Sequence, residues 1–156
     1  MMPGSGSITW KHNDEQIAAE SVYRYVAAST PLLTLYDQFT LDENIAFFLK
    51  FKKLKNNISI DQFADRIGLS KHRNKQLKSY SSGMRQRVKL GLAILCDAPL
   101  LLLDEPVSHL DSNAIDWYKE ILSENTDGKT LIVASNSQDS EIFLCNQKIV
   151  MDDYKK

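Results

Sequence analysis

The sequence predicts an α/β fold with a mostly parallel sheet, and three stretches of it carry the prediction. PLLLLDEP, residues 99–106, sets four leucines between prolines, the pattern of a strand buried on both faces in a parallel sheet. TLIVASN, residues 130–136, is a second such strand, separated from the first by a helical pattern over 112–124. Strands alternating with helices at this spacing build α/β layers. Residues 40–96, by contrast, carry helical patterns with no strand between them, which suggests a helical insertion.

Taken in order, Pro-Gly-Ser-Gly at 3–6 is a loop that feeds a short alternating strand, SITWK, at 7–11. VYRYVAAS, 22–29, reads as a strand that ends near Pro31, because a residue before proline avoids the helical region. In TLDENIAFFLKFKKL, Thr40 and Glu43 form a capping box, and Ile45, Phe48, Leu49 and Phe51 or Lys52 trace an apolar face. Its lysines at 50, 52, 53 and 55 read as a solvated face or a docking surface. ISIDQFADRIGL is a short helix with Phe63 and Ile67 one turn apart and Gly68 as its stop. KHRNKQLKSY is a basic helix or loop, and residues 83–95 are helical with Val88, Leu92 and Leu95 on one stripe. Asp111 or Ser112 caps the helix that starts at about 112, another helix lies near 138–144, and KIVMD closes the chain as a strand.

Bulk properties narrow the function. The 156 residues suffice for one domain with a real core. A net charge of −1 gives no electrostatic footprint for nucleic acid. No apolar run reaches the roughly 20 residues of a membrane span, and the start is not a signal peptide. Cys96 and Cys145 stand in no metal spacing and read as reduced thiols.

Two motifs carry chemistry. LLLLDEP delivers Asp104 and Glu105 at the carboxyl end of a strand, where α/β sheets bind ligands, although an ordinary acidic turn has the same appearance. YSSGMRQRV places Ser81 and Ser82 at a helix start, whose amides and dipole can face an anion. Gly83 permits close backbone approach, and Arg85 and Arg87 add positive potential. Alone, Ser-Ser-Gly would be only a cap. Joined to LLLLDEP and to VSHLD, with Asp111 seven residues beyond Asp104, it reads as one site.

The run SSGMRQRVKLGLAILCDAPLLLLDEPVSHLD resembles the signature, Walker B and D-loop series of ATP-binding-cassette (ABC) transporter ATPases. Leu-Ser-Gly-Gly-Gln of that family stands here as Tyr80-Ser81-Ser82-Gly83-Met84. YVAASTPLLTLYDQFTLDENI resembles the segment joining the family's core to its helical subdomain, so the likeness covers nearly the whole chain, and it is most similar to the exporter branch. The resemblance implies a P-loop NTPase-like three-layer sandwich over 1–156, N-terminally truncated, with a helical subdomain portion at 40–80 that continues into a signature helix at 83–96. It implies ATP and Mg²⁺ as ligands, with Asp104 holding the metal and Glu105 polarising the attacking water. Ser81, Ser82, Gly83 and Asp111 would contact nucleotide. The implied partners are a second ATPase subunit and a transmembrane transporter subunit, on the cytoplasmic face of a membrane, with no nucleic acid.

Several family features are absent or altered. No Gly-Lys-Ser/Thr loop precedes Tyr80, and the family's adenine-stacking aromatic would lie further upstream still. Gly128-Lys129-Thr130 has Ser123 where the loop's first glycine belongs and leads into a strand. Residues 27–33 lack the family's glutamine, with Ala28 in that region, and Gln38 lies too near the Thr40 cap to replace it. Asn136 stands where the family has a histidine that contacts the γ-phosphate; its amide donates a hydrogen bond but carries no charge. Two expectations follow. The chain is the C-terminal part of an ordinary transporter ATPase, or it is a non-catalytic subunit that completes a composite site on an intact partner. A DNA-repair relative fits poorly, since no heptad run exists. A sheet without its neighbouring strand would leave edges and one face open, and such a chain should be marginally stable.

Overall fold

The computed structural model describes residues 6–136 and 139–154. The chain begins with a hairpin of β1 (Trp10–His12) and β2 (Glu15–Ile17), joined by Asn13 and Asp14 at φ 50° and 64°. Asn and Asp tolerate this left-handed pair, which the tight turn of a two-residue hairpin requires. The expected strand at 7–11 is therefore displaced toward 10–12, because pairing across the turn decides its register. The Pro-Gly-Ser part of the preceding loop lies outside the described residues.

The main sheet has three parallel strands in the order β3 (Val26–Ser29), β4 (Leu100–Asp104) and β5 (Thr130–Ala134). Val26 pairs with Leu100, and Asp104 with Ala134. Only the second half of the expected strand at 22–29 is extended; residues Ala19–Arg24 form a 3-10 helix. Between β3 and β4 come α1 (Leu41–Phe48), α2 (Ile60–Arg66) and α3 (Ser82–Ile94), linked by short 3-10 turns, as the helical run foretold. After β4 follow α4 (Ser112–Asn125) and a four-residue α5 (Asp139–Ile142).

The helix starts obey the sequence. Thr40 and Glu43 exchange hydrogen bonds as a capping box, and Ser59 with Gln62 forms a second. Asp111 caps α4 through the Ala114 amide at 2.8 Å. Gly68, at φ 70°, follows α2 as expected.

Helices α3 and α4 cover one face of the sheet. Ala27, Leu101 and Leu103 point into that core, with Val88, Leu90, Ile94, Tyr118 and Leu122. Gly91 lets α2 approach α3: a Cβ there would stand 2.4 Å from Ile67 Cγ2 and 3.0 Å from the Phe63 ring. Lys129 donates to the carbonyls of Ile94 and Cys96 at 2.7 and 2.8 Å, which satisfies the end of α3.

Four expectations are corrected. The LLLLD strand is buried on one face only: Leu101 and Leu103 are buried, whereas Leu100 and Leu102 are half-exposed. TLIVA is an edge strand, with Ile132 54% exposed. Both differ because the described residues place no helix on the second face. The α1 face is Leu41, Asn44, Ile45 and Phe48, while Leu49 and Phe51 are exposed, since the helix ends before them. KIVMD is no strand; residues 145–150 are irregular, Met151–Tyr154 is a 3-10 turn, and Ile149 and Met151 are exposed. Lys52 also departs from a purely solvated lysine face. It is half-buried and donates to the carbonyls of Tyr23 and Val26, which ties the end of the helical arm to β3.

Candidate functional site

Strand β4 ends at Asp104, and the chain turns at once. The Glu105 amide donates to the Ala134 carbonyl at 2.9 Å, continuing the ladder to β5 for one more residue. Glu105 itself takes φ 45°, a left-handed conformation that is uncommon for a residue with a side chain. Pro106 comes next and disfavours the right-handed helical region at Glu105. Beyond it, the Ser108 amide donates to Glu105 and the Leu110 amide to Val107, each at 3.1 Å, and His109 again has a positive φ, 66°.

This turn brings together two of the expected site residues, Glu105 and Asn136. Asn136, just past β5, donates from Nδ2 to Glu105 Oε1 at 2.5 Å, across 31 positions of sequence. The Ser108 hydroxyl approaches Glu105 Oε2 at 3.4 Å. Parallel pairing of β4 and β5 makes the meeting possible, because both strands end at the same edge. Asp104 stands at that edge too, half-buried.

The start of α3 packs on the same turn. Ser81 caps the helix, its hydroxyl accepting from the Met84 amide at 3.2 Å, and both Ser81 and Ser82 are exposed. Gly83 lies so close to the turn that a Cβ would stand 3.1 Å from the His109 carbonyl oxygen. Gln86 donates to the Pro106 carbonyl at 2.9 Å. The close approach that Gly83 permits is thus to the 106–109 backbone. Gln86 and His109 were not legible as site residues, since Gln86 meets Pro106 and His109 meets Gly83 across twenty positions or more, with no local period.

The two arginines of the motif are otherwise engaged. Arg85 pairs with Asp37 at 2.5 Å, and the Arg87 guanidinium lies 4.9 Å over the Trp117 ring. Trp117 in turn donates to the Arg66 carbonyl at 2.7 Å, so α2, α3 and α4 are tied at one point. Beside Arg85, a groove of about 260 Å³ is lined by residues that include Leu33, Ser82, Lys89 and His109. Partial burial, and then the charge of Arg85, hold the Lys89 amine below its ordinary pKa. Asp111 spends one carboxylate oxygen on its helix cap.

For a metal, the described residues offer no cluster of three or more His, Cys, Asp or Glu side chains. Asp104 alone at the strand end suits a cation that takes its other ligands from phosphate and water, as Mg²⁺ does. The tripeptide Gly128-Lys129-Thr130 cradles nothing, because its lysine amine is committed to the end of α3.

Comparison with known proteins identifies the family. The model of the family described as ABC transporter matches residues 1–108. The chain is 31% identical, over 97% of its length, to an uncharacterised ABC transporter ATP-binding protein, YybJ, of Bacillus subtilis, and spans 70% of that protein. It is 35% identical over 78% of its length to the oligosaccharides import ATP-binding protein MsmX of the same organism. It is 32% identical over 76% of its length to the spermidine/putrescine import ATP-binding protein PotA of Spiroplasma citri. The chain spans only 34% and 35% of these last two.

Proposed function

This chain belongs to the ABC transporter family of ATP-binding proteins, and from that premise we propose that it couples ATP binding and hydrolysis to transport across a membrane. The reading is carried by the hydrogen bond of Asn136 to Glu105, which joins the ends of two parallel strands into one acid-amide pair at the ligand-binding edge of the sheet.

Each residue has a role in this reading. Glu105 orients and polarises the attacking water. Asn136 holds the Glu105 carboxylate and donates toward the γ-phosphate, without the charge a histidine would bring. Asp104 would hold Mg²⁺, which supplies charge stabilisation to the phosphates when bound. The exposed start of α3, with Ser81, Ser82 and Gly83, closes over a γ-phosphate held by a second ATPase subunit, and Asp111 lines the same junction. The transmembrane subunit docks on the surface around residues 30–55, where Leu32 is 91% exposed and the rings of Tyr36, Phe39, Phe47 and Phe51 form a contact chain, the first pair stacked and the others edge to face. The chain then works from the cytoplasmic face of the membrane; no helix among the described residues is long and apolar enough to cross one.

In this proposal the loop that cradles the β- and γ-phosphates is not among residues 1–156. Positioning and charge account for almost all phosphoryl-transfer catalysis, so without that loop these residues bind ATP weakly and do not turn it over. A calorimetric titration of Mg²⁺–ATP, with Asp104→Asn as control, tests this. Saturable binding that depends on Asp104, or turnover that Glu105→Gln abolishes, would overturn it.

A second reading, a non-catalytic subunit that completes a partner's site, draws on Ala28 and Asn136. ATP-dependent capture of an intact ABC ATPase subunit, lost in Ser81→Arg, supports the composite site on either reading. Turnover in the captured pair that falls with Glu105→Gln then favours the catalytic one.

A further inference from the structure

Glu141 is a buried acid that the proposed chemistry does not use. It is 2% exposed, on the four-residue α5 that follows Asn136. Its Oε1 accepts from the Val107 amide at 3.3 Å, across 34 positions. Its Oε2 is buried and has no hydrogen-bond partner among the described residues. An acid enclosed this way is costly, and it persists where it organises something. Its own place is fixed from below. The Tyr118 hydroxyl, from α4, donates to the Glu141 backbone carbonyl at 3.3 Å, and the Phe143 ring meets the Tyr118 ring edge to face at 6.3 Å.

What Glu141 touches is the most strained backbone near the site. Within five residues Glu105 and His109 both have left-handed φ, 45° and 66°, and neither is glycine. Conformations of this kind hold only where the surroundings over-determine them. From one side the segment is held by Gln86 on the Pro106 carbonyl and by Gly83 against His109. From the other side the hold is Glu141 on Val107, and it comes from the helix that begins three positions after Asn136. The same helix therefore fixes the turn that carries Glu105 and follows the residue that meets Glu105.

We propose that Glu141 is a positioning residue: its carboxylate, held by α5 on the Val107 amide, keeps the 105–109 turn in the left-handed conformation that sets Glu105 against Asn136. The functional half of this inference rests on the ATPase reading above; the structural half does not. Two variants separate the role from bulk stability. Glu141→Leu keeps the volume, removes the acceptor and also removes the unpartnered oxygen. Glu141→Gln keeps an acceptor for the Val107 amide.

The first readout is amide hydrogen exchange in the full chain, taken as the rate at Val107 relative to Leu101 in the centre of the sheet. The ratio rises about tenfold in Glu141→Leu, the scale of losing one buried hydrogen bond, and returns toward the parent value in Glu141→Gln. An unchanged ratio in Glu141→Leu, both rates rising together, or a glutamine variant that behaves as the leucine one would overturn the proposal. The second readout is Mg²⁺–ATP turnover of the chain paired with an intact ABC ATPase subunit. There Glu141→Leu lowers kcat and leaves KM unchanged, because Glu141 touches no nucleotide-binding residue, and Glu141→Gln recovers kcat. A rise in KM alone overturns the positioning role. Absence of turnover in the unsubstituted pair counts against the ATPase reading instead, and the exchange ratio then decides the role of Glu141.

Discussion

The two faces of the three-stranded sheet are built from the same strands and have opposite fates. On one face Ala27, Leu101 and Leu103 are sealed beneath α3 and α4, and every helix of the 40–96 run joins that core. On the other, Ala28, half of Leu102 and Ile132 look outward, with Ile132 more than half exposed. Strand alternation sends successive residues to opposite faces, so Leu101 and Leu102 differ in environment though not in chemistry. The difference teaches that an apolar strand records how many faces it is built to bury, whereas only its neighbours decide how many are buried.

The largest test of that contrast is Leu101→Ala, which opens a cavity in the closed face and should lower stability by about 3 kcal/mol in chemical denaturation. A loss below about 1 kcal/mol would mean the closed face is loosely packed. Next comes Gly91→Ala, which forces a methyl group against Ile67 and Phe63 in the same core. Overpacking there should cost about 2 kcal/mol, against the small gain that alanine normally brings to a helix. If thermal melting instead rises, α2 and α3 are not in the observed contact.

Smaller again is the capping box at the rim of that core. Thr40→Ala should cost about 1 kcal/mol near neutral pH. The hydrogen bonds from the Thr40 amide and then the Thr40 hydroxyl hold the Glu43 carboxyl below its ordinary pKa. A lowered folded value means the stabilisation is fully present above the ordinary carboxylate pKa and fades as pH falls through the lowered one. The gap between Glu43→Ala and the parent should therefore narrow on titrating from neutral to acid; a constant gap would assign the cap to the neutral hydrogen bonds alone. The smallest effect belongs to the open face. Ile132→Thr should change stability by no more than about 0.5 kcal/mol, since little area is lost from contact. A loss comparable with Leu101→Ala would show that the face is covered in solution.

The same contrast runs through the site. Asp104 and Glu105 were legible because a leucine run ending in acids is a local pattern, and Ser81 at the start of α3 because capping is local as well. The roles of Gly83 and the arginines read differently in three dimensions. Gly83 makes room for the His109 carbonyl, Arg85 answers Asp37, and Arg87 lies on Trp117. None of these partners lies within a helical or strand period of the residue it meets. Glu141 was invisible for the same reason: it reads as one acid in a short polar helix until the fold sets it against Val107.

By itself the sequence determined what nearest neighbours along the chain can settle. It set the parallel α/β class, the helical run from 40 to 96, the cap at Thr40, helix starts at Ser81–Ser82 and at Asp111 or Ser112, and the edge where the acids emerge. Periodicity, capping and strand composition act over a turn or a few residues, and those lengths are written in the chain. The tertiary structure decided which face of the sheet is sealed, that KIVMD forms no strand, and that Asn136 and Glu141 both converge on the 105–109 turn. Those outcomes depend on contacts between segments some thirty positions apart, where no local pattern reaches and packing alone chooses the partner.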